Sequence, residues 1–374
     1  MSDLYIGLMS GTSLDGIDAA LADFSSGKCK VLGFHYIPFS EQLKQQLYQL
    51  SQPDHPIYLH DYGRLDHMLG HLFAKASQQL LDKAQIKPEK ITAIGCHGLT
   101  THHAPTSDHP FSLQIGDPNV IAEKTGITTI SDLRRRDMAV GGQGAPLVPA
   151  FHRYFFARHL PVCVVNIGGI SNISILKKSE EVLGFDTGPG NTLMDYWINK
   201  IQHQPYDKNG AWAASGHVCK VLLSHLKKDT YFQHPPPKST GKEYFSARWL
   251  KQKISRFNDL QAADIQATLC QLTADSISDA IEEYGSECQK IILCGGGSHN
   301  HHLKKLLRQN LNRSVETSDA YGIDPDQVEA IAFAWLARQT IHRLPGNLCS
   351  ATGAKNPVVL GGIYPGKSMC LGGK

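Results

Sequence analysis

Short apolar runs that end in glycine-rich turns recur along the chain: "LYIGLMSG", "ITAIGCHG", "PVCVVNIGG", "EVLGFDTGPGN" and "KIILCGGGS". Runs of this length, bounded by turn residues, predict buried strands. Between them, "SEQLKQQLYQL", "RLDHMLGHLFAKASQQLLDKA" and "AADIQATLCQLTADSISDAIEEYG" carry apolar residues three and four apart, the spacing of amphipathic helices. Strands that alternate with helices make an α/β protein. The loop around Gly11 and Ser13 is echoed around Gly169 and Ser171, and "IGCHG" at Cys96 is echoed by "ILCGGG" at Cys294. This faint internal duplication gives each half a strand, a glycine turn and a later strand. The stretch "RRRDMAVGGQGAPLVP" lies between the halves and reads as a hinge, while "QHPPPKSTGKEY" reads as a surface loop with a solvated Lys238.

Length and charge narrow the class. A chain of 374 residues exceeds one ordinary core and predicts two domains. An apolar content of 41% with 19% charged residues is that of a folded globular protein. The formal charge is only +3 and the basic residues are scattered apart from "RRRD", which points away from nucleic acid and membrane surfaces and toward small-molecule partners. With no apolar run of membrane-spanning length and no signal-peptide pattern, a cytoplasmic location is expected. The nine cysteines contain no CxxC pair, so free thiols are expected rather than a disulfide framework or a zinc site.

Five stretches carry candidate chemistry. In "GLMSGTSLDGID", residues 7 to 18, small hydroxyls and bare amides follow the first strand and suit phosphate oxygens. The lysine of a Walker A loop and the pattern GxGxxG are both missing, and "LDG" also reads as a hairpin turn, so the stretch is a turn, a phosphate loop, or both. In "GFDTGPGN", Asp186 ends a strand before a glycine loop and a helix, where a carboxylate acts as a base or as a helix cap. The run Gly295, Gly296 and Gly297 in "LCGGGSHN" leaves room for a flat ligand against backbone. In "DPDQVEAIAFAWLA", Asp324 reads as an N-cap with Pro325 at the first helical position and Gln327 in a capping box. Glu329 is the only charge from Val328 to Ala337, so it has a partner or a task, or else serves the helix dipole. The adjacent Arg134, Arg135 and Arg136 suit bidentate binding of a carboxylate or phosphate, at least one of them being a solvated surface residue. The clusters "HGLTTHH" and "HNHH" lack metal-ligand spacing, and a Ser13, His97, Asp186 hydrolase lacks a GxSxG elbow.

Together "GLMSGTSLDGID", "GCHG", "LQIGDPNVIAEKTGI", "DLRRRDMAVGGQGAPLVPAFH", "NIGGISN", "FDTGPGNTLMD", "PKSTGKEYF", "ATLCQLTA", "CGGGSHN" and "EAIAFAWLA" resemble the 1,6-anhydro-N-acetylmuramic acid kinases of bacterial cell-wall recycling, from Gly7 to about Tyr364. The resemblance implies the two-domain actin-like ATPase and sugar kinase fold, with ribonuclease H-like duplicated domains and ATP and sugar in the cleft. It implies a reaction in which ATP and water convert the anhydro sugar to N-acetylmuramic acid 6-phosphate and ADP. By analogy, residues 1–135 with 346–374 form one domain and 136–345 the other, and a homodimer is expected.

The same resemblance assigns roles. Asp186 is the catalytic base, Glu329 holds the sugar or the water, and Arg135 pairs with the lactyl carboxylate. His97 and Asn166 join the sugar site. Gly11, Thr12, Ser13, Leu14, Asp15, Gly16, Ile17 and Asp18 form the ATP segment, with Gly169 and Gly295 to Gly297 as the later nucleotide loops, and Mg2+ bridges the phosphates. One departure stands out. Leu99 occupies a position where relatives carry glutamine, so a sugar contact is expected to be lost, or taken over by Thr100, Thr101 or His102, with a modest change in sugar affinity. An ordinary hexokinase-like kinase, an actin-like nucleotide switch and a nucleotide-independent hydrolase are the competing readings.

Overall fold

The computed structural model describes residues 3–11, 13–52, 55–179 and 181–367. Its strands are β1 (Leu4–Ser10), β2 (Gly16–Asp23), β3 (Lys30–Pro38), β4 (Ile91–Ala104), β5 (Phe111–Ile115), β6 (Thr129–Ser131), β7 (Val162–Ile167), β8 (Ile170–Leu176), β9 (Val182–Pro189), β10 (Lys290–Cys294), β11 (Ser314–Thr317) and β12 (Gly362–Tyr364). They build two sheets in two compact units, 1–155 with 327–374 and 156–326.

In the first unit, β1, β2 and β3 form an antiparallel meander, and β4 then β6 add in parallel beyond β1. In the second, β7, β8 and β9 form the meander, and β10 then β11 add in parallel beyond β7. Counted within its unit, the second sheet runs third, second, first, fourth, fifth, and the first sheet follows the same order once β5, which pairs only with β4, is set aside; in both, the second strand opposes its neighbours. This is the ribonuclease H-like order in duplicate, the fold of actin-like ATPases and sugar kinases. The faint repeat in the sequence is its trace. β5 pairs with β4, and β12 pairs with β6.

The amphipathic stretches form helices where their spacing predicts them. Ser40 caps Glu41–Leu50 by accepting the Leu43 amide at 3.3 Å, and Leu43, Leu47 and Leu50 face inward. With Leu59–Ala84 they cover the first core. Ala262–Tyr284 is the central helix of the second core. No described helix is long and apolar enough to cross a membrane.

A close backbone contact fixes the helix Val328–Ile341 on the first sheet. Gly7 and Gly95 are register partners on β1 and β4. A β carbon on Gly7 would lie 1.7 Å from the Ala330 carbonyl oxygen, and one on Gly95 would lie 2.0 Å from that of Phe333. Any side chain at either strand position would push the helix off the sheet. The glycines therefore decide where Glu329, at the start of that helix, comes to rest.

Several expectations change. β4 does not end at Gly98 but runs to Ala104, because Leu99–Ala104 pairs with β5. Leu99 is fully buried in the first core, so it offers nothing to a ligand, and the expected change in sugar affinity has no structural basis. Leu99→Gln is instead expected to bury an amide at a cost of about 1–3 kcal/mol, read as a lower melting temperature with the Michaelis constant for sugar unaltered. The last long helix begins at Val328, not beside Asp324. The Asp324 carboxylate accepts the Asp326 amide at 2.9 Å in a local turn, and the Pro325 carbonyl is taken by the Gly295 amide at 2.9 Å.

The presumed hinge is a knot within the first unit. Buried Asp137 accepts the Gly144 amide at 2.8 Å, the Asn347 side-chain amide at 2.7 Å and the Thr352 hydroxyl at 2.7 Å. These ties hold residues 133–155 to the C-terminal segment. The compact units accordingly change over at 155/156 and 326/327, whereas the sequence reading put the boundaries at 135/136 and 345/346. The helix bearing Glu329 packs on β1 and β4.

Candidate active site

Asp186 lies near the end of β9, half-buried, and its position is set from three directions. Its carboxylate Oδ2 accepts the Thr240 amide at 2.9 Å, its own amide donates to the Lys238 carbonyl at 3.1 Å, and its carbonyl accepts the Tyr231 hydroxyl at 2.7 Å. Tyr231 is steadied in turn by Asp229, which accepts its amide at 3.2 Å and also binds the Tyr244 hydroxyl and the Trp249 indole. The loop "QHPPPKSTGKEY" is thus no free surface turn. Lys238 is half-buried, with its ammonium 4.9 Å from the centre of the Tyr231 ring, and burial lowers its pKa.

The loop after Asp186 is held as firmly. Thr273, on the central helix, donates its hydroxyl to the Pro189 and Gly190 carbonyls at 3.0 and 2.9 Å. The Gly169 carbonyl accepts the Gly190 and Thr192 amides, and that of Gly168 accepts the Asn191 amide. The turn between β7 and β8 and the start of the helix Thr192–Gln202 form one interlocked piece beside Asp186. Asn166, buried at the end of β7, meets the third glycine stretch: a β carbon on Gly295 would lie 2.2 Å from its Oδ1. Gly297 is equally filled by Ile167, and only Gly296 faces open space. Two glycines of the run are therefore required by packing.

In the first unit the structure assembles His97, Arg134 and Glu329. His97 Nδ1 donates to the Gly98 carbonyl at 2.9 Å, and Nε2 accepts the Arg134 Nε–H at 3.0 Å, which together fix the tautomer. Burial and then the Arg134 charge push the His97 pKa well down, so the ring is neutral. Both nitrogens are committed, and His97 acts by aiming Arg134. Phe333, one turn after Glu329, lies against the imidazole at 4.7 Å between ring centres. Desolvation raises the Glu329 pKa while Arg134 opposes it. A raised folded-state pKa makes ionisation unfavourable to folding, so any stability it contributes is present below the ordinary glutamate range and is lost as pH rises through the folded value. Glu329→Gln is expected to match the parent in melting temperature at pH 4 and to exceed it by a gap that widens as pH rises above the ordinary glutamate range and levels off beyond the folded-state value.

Arg135 stands apart from this cluster. Its Nε and Nη2 bind the Asp132 carboxylate at 2.7 and 2.5 Å, and it lines a cavity of about 170 Å3 with Tyr62, Asp66, Gly98 and Tyr364. Arg136 is exposed. In the first loop, the hairpin is real: β1 and β2 pair from Leu4↔Asp23 to Met9↔Asp18. The Leu14 amide closes the turn on the Gly11 carbonyl at 3.1 Å, with Leu14 at φ 61°. Ile17 and Leu14 face inward and offer only backbone, whereas Ser13 and Asp15 are exposed and Asp18 is half-buried. Thr12 lies outside the described residues. Among the described residues no cluster of acidic, histidine or cysteine side chains could cage a metal ion.

Comparison with known proteins decides the family. The family model described as "Anhydro-N-acetylmuramic acid kinase" matches residues 3–366. The chain belongs to the anhydro-N-acetylmuramic acid kinase family. It is 51% identical to the anhydro-N-acetylmuramic acid kinase of Pasteurella multocida, over 96% of each chain. It is 49% identical to that of Vibrio cholerae, over 97% of this chain and 98% of the other. A solved structure, component A of the (R)-2-hydroxyglutaryl-CoA dehydratase of Acidaminococcus fermentans, overlaps 88% of this chain and 96% of its own, with 11% identity and a TM-score of 0.48. As a member of the anhydro-N-acetylmuramic acid kinase family the chain is an enzyme, a kinase, and the family activity is phosphorylation of the anhydro sugar with opening of its ring.

Sequence reasoning did not single out Tyr231 or Thr240, and it named Arg134 only as one of three candidate arginines. Thr240 is 54 residues from the carboxylate it holds, with no shared motif to join them. Only the quoted stretch "PKSTGKEYF" could have flagged that loop.

Proposed function

We propose that this kinase uses ATP and water to convert 1,6-anhydro-N-acetylmuramic acid to N-acetylmuramic acid 6-phosphate and ADP, with Asp186 as the base. The observation that carries the reading is the carboxylate of Asp186, fixed at a strand end beside a locked glycine turn. One proton of the attacking water passes to Asp186 while its oxygen bonds to C1. The C1–O6 bond breaks and leaves its electron pair on O6. O6 then bonds to the γ-phosphorus, and the bond to the bridging oxygen breaks with its pair leaving on ADP. One base thus serves both bonds.

Glu329 holds the sugar or the water, with Arg134, aimed by His97, opposing the desolvation of its charge. Arg135 takes the lactyl carboxylate, since its guanidinium lines a cavity and is oriented by Asp132. The amides and hydroxyls of residues 11–18 hold ATP phosphates, Gly169 and Gly295–Gly297 are the further nucleotide contacts, and Asn166 belongs to the sugar site. Mg2+ would ride on the ATP phosphates and would offset their charge. On the family resemblance, the enzyme works as a cytoplasmic homodimer in peptidoglycan recycling.

Incubation with ATP, Mg2+ and the anhydro sugar in oxygen-18 water tests the reading. A sugar phosphate that gains one heavy oxygen is expected. A product without it, or turnover only of a non-anhydro sugar, would point to an ordinary sugar kinase.

A further inference from the structure

The first loop lacks the lysine that a Walker A loop supplies, yet a lysine from elsewhere in the second unit lies across the second glycine turn. A β carbon on Gly169 would fall 2.4 Å from Lys242 Cε and 3.3 Å from Lys242 Nζ. The side chain occupies the space that any residue but glycine would fill.

The loop that delivers Lys242 also delivers the grip on Asp186. The Thr240 amide binds the carboxylate at 2.9 Å, two residues before the lysine. Lys238, four residues before it, turns elsewhere, with its ammonium over the Tyr231 and Phe185 rings at 4.9 and 5.9 Å and its side chain lining a cavity of about 230 Å3. Of the two lysines, only Lys242 is laid against the turn. A glycine turn interlocked with a helix start, a fixed carboxylate and an ammonium thus share one corner of a single unit.

Phosphoryl transfer places charge on the oxygens of the moving group and on the leaving oxygen, and cations directed there lower the barrier. We infer that Lys242 is a further catalytic residue, an ammonium that contacts the transferring phosphoryl group from the second glycine turn and takes the place of the lysine missing from the first loop. This rests on the reading of Asp186 and Gly169 given above. Lys242 keeps its proton throughout: it donates hydrogen bonds while the O6–phosphorus bond forms and the bond to ADP breaks.

Lys242→Met and Lys242→Arg, each compared with the parent for melting temperature, test the inference alongside Asp186→Asn. Nucleotide affinity is measured by calorimetry with ADP and with a non-hydrolysable ATP analogue. In the methionine variant, kcat/KM for ATP is expected to fall 100-fold or more, the analogue to bind at least 10-fold more weakly, and ADP and sugar binding to change less than 3-fold. The arginine variant is expected to recover at least 10-fold of the lost rate. A purely structural lysine would weaken ADP and analogue alike, or lower the melting temperature without separating them, and either result overturns the inference. If Asp186→Asn is inactive but Lys242→Met turns over like the parent, Lys242 alone is excluded. If Asp186→Asn stays active, the reading beneath it falls as well.

Discussion

Asp186→Asn is expected to abolish ring opening and phosphoryl transfer together, with kcat lowered about 10²–10⁴-fold, the span associated with losing a positioned general base. Asparagine keeps an oxygen to accept the Thr240 amide, and the backbone bonds to Lys238 and Tyr231 do not depend on the side chain. The fold is therefore preserved and the melting temperature holds near that of the parent. The joint loss is the informative part. If one base serves both bonds, heavy-oxygen incorporation and ADP release fall by the same factor when measured in the same tube. A variant that still opens the anhydro ring but fails to phosphorylate it would separate the two steps and assign the water's proton to another group. Persistent turnover with a normal pH profile would remove Asp186 from the chemistry.

The outline of this site was legible in the sequence wherever a local pattern carried it. Asp186 announces itself because an acid at a strand end before three small residues has few uses, and Glu329 because it is alone in an apolar helix. The two arginines were harder. Neighbours on a helix point about 100° apart, so Arg134 reaches His97 while Arg135 returns to Asp132, and adjacency in sequence says nothing of which does which. The clip on Asp186 was hidden by its 54-residue separation, a tertiary contact with no local period. Leu99 reads as a ligand position only through the resemblance; pairing with β5 carries the strand past Gly98 and turns its side chain into the core. The boundaries between units shifted because the Gly-rich stretch is fastened by Asp137 to residues more than two hundred positions away, which composition does not reveal.

Gly95→Ala is expected to be among the most damaging small changes in the first unit, lowering stability by about 3 kcal/mol or more, the upper end for an overpacked core. For a domain of this size that corresponds to roughly 6–12 °C in melting temperature. The added carbon would sit 2.0 Å from the Phe333 carbonyl oxygen, which is backbone and cannot rotate aside, so the helix has to lift from β4. Gly63→Ala supplies the comparison. It lies exposed within Leu59–Ala84, where a β carbon meets nothing within 4 Å, and the better helix propensity of alanine is expected to leave stability unchanged or raise it by up to about 1 kcal/mol. The consequence extends to catalysis. Phe333 packs on His97, and Glu329 lies one turn before it, so a lifted helix displaces the carboxylate from the Arg134 charge that opposes its desolvation. Activity measured well below the melting temperature is therefore expected to drop in Gly95→Ala and to hold in Gly63→Ala. Equal activity in both variants, with only the melting temperature of Gly95→Ala reduced, would show that the glycine pair seats the helix for stability and that Glu329 tolerates its movement.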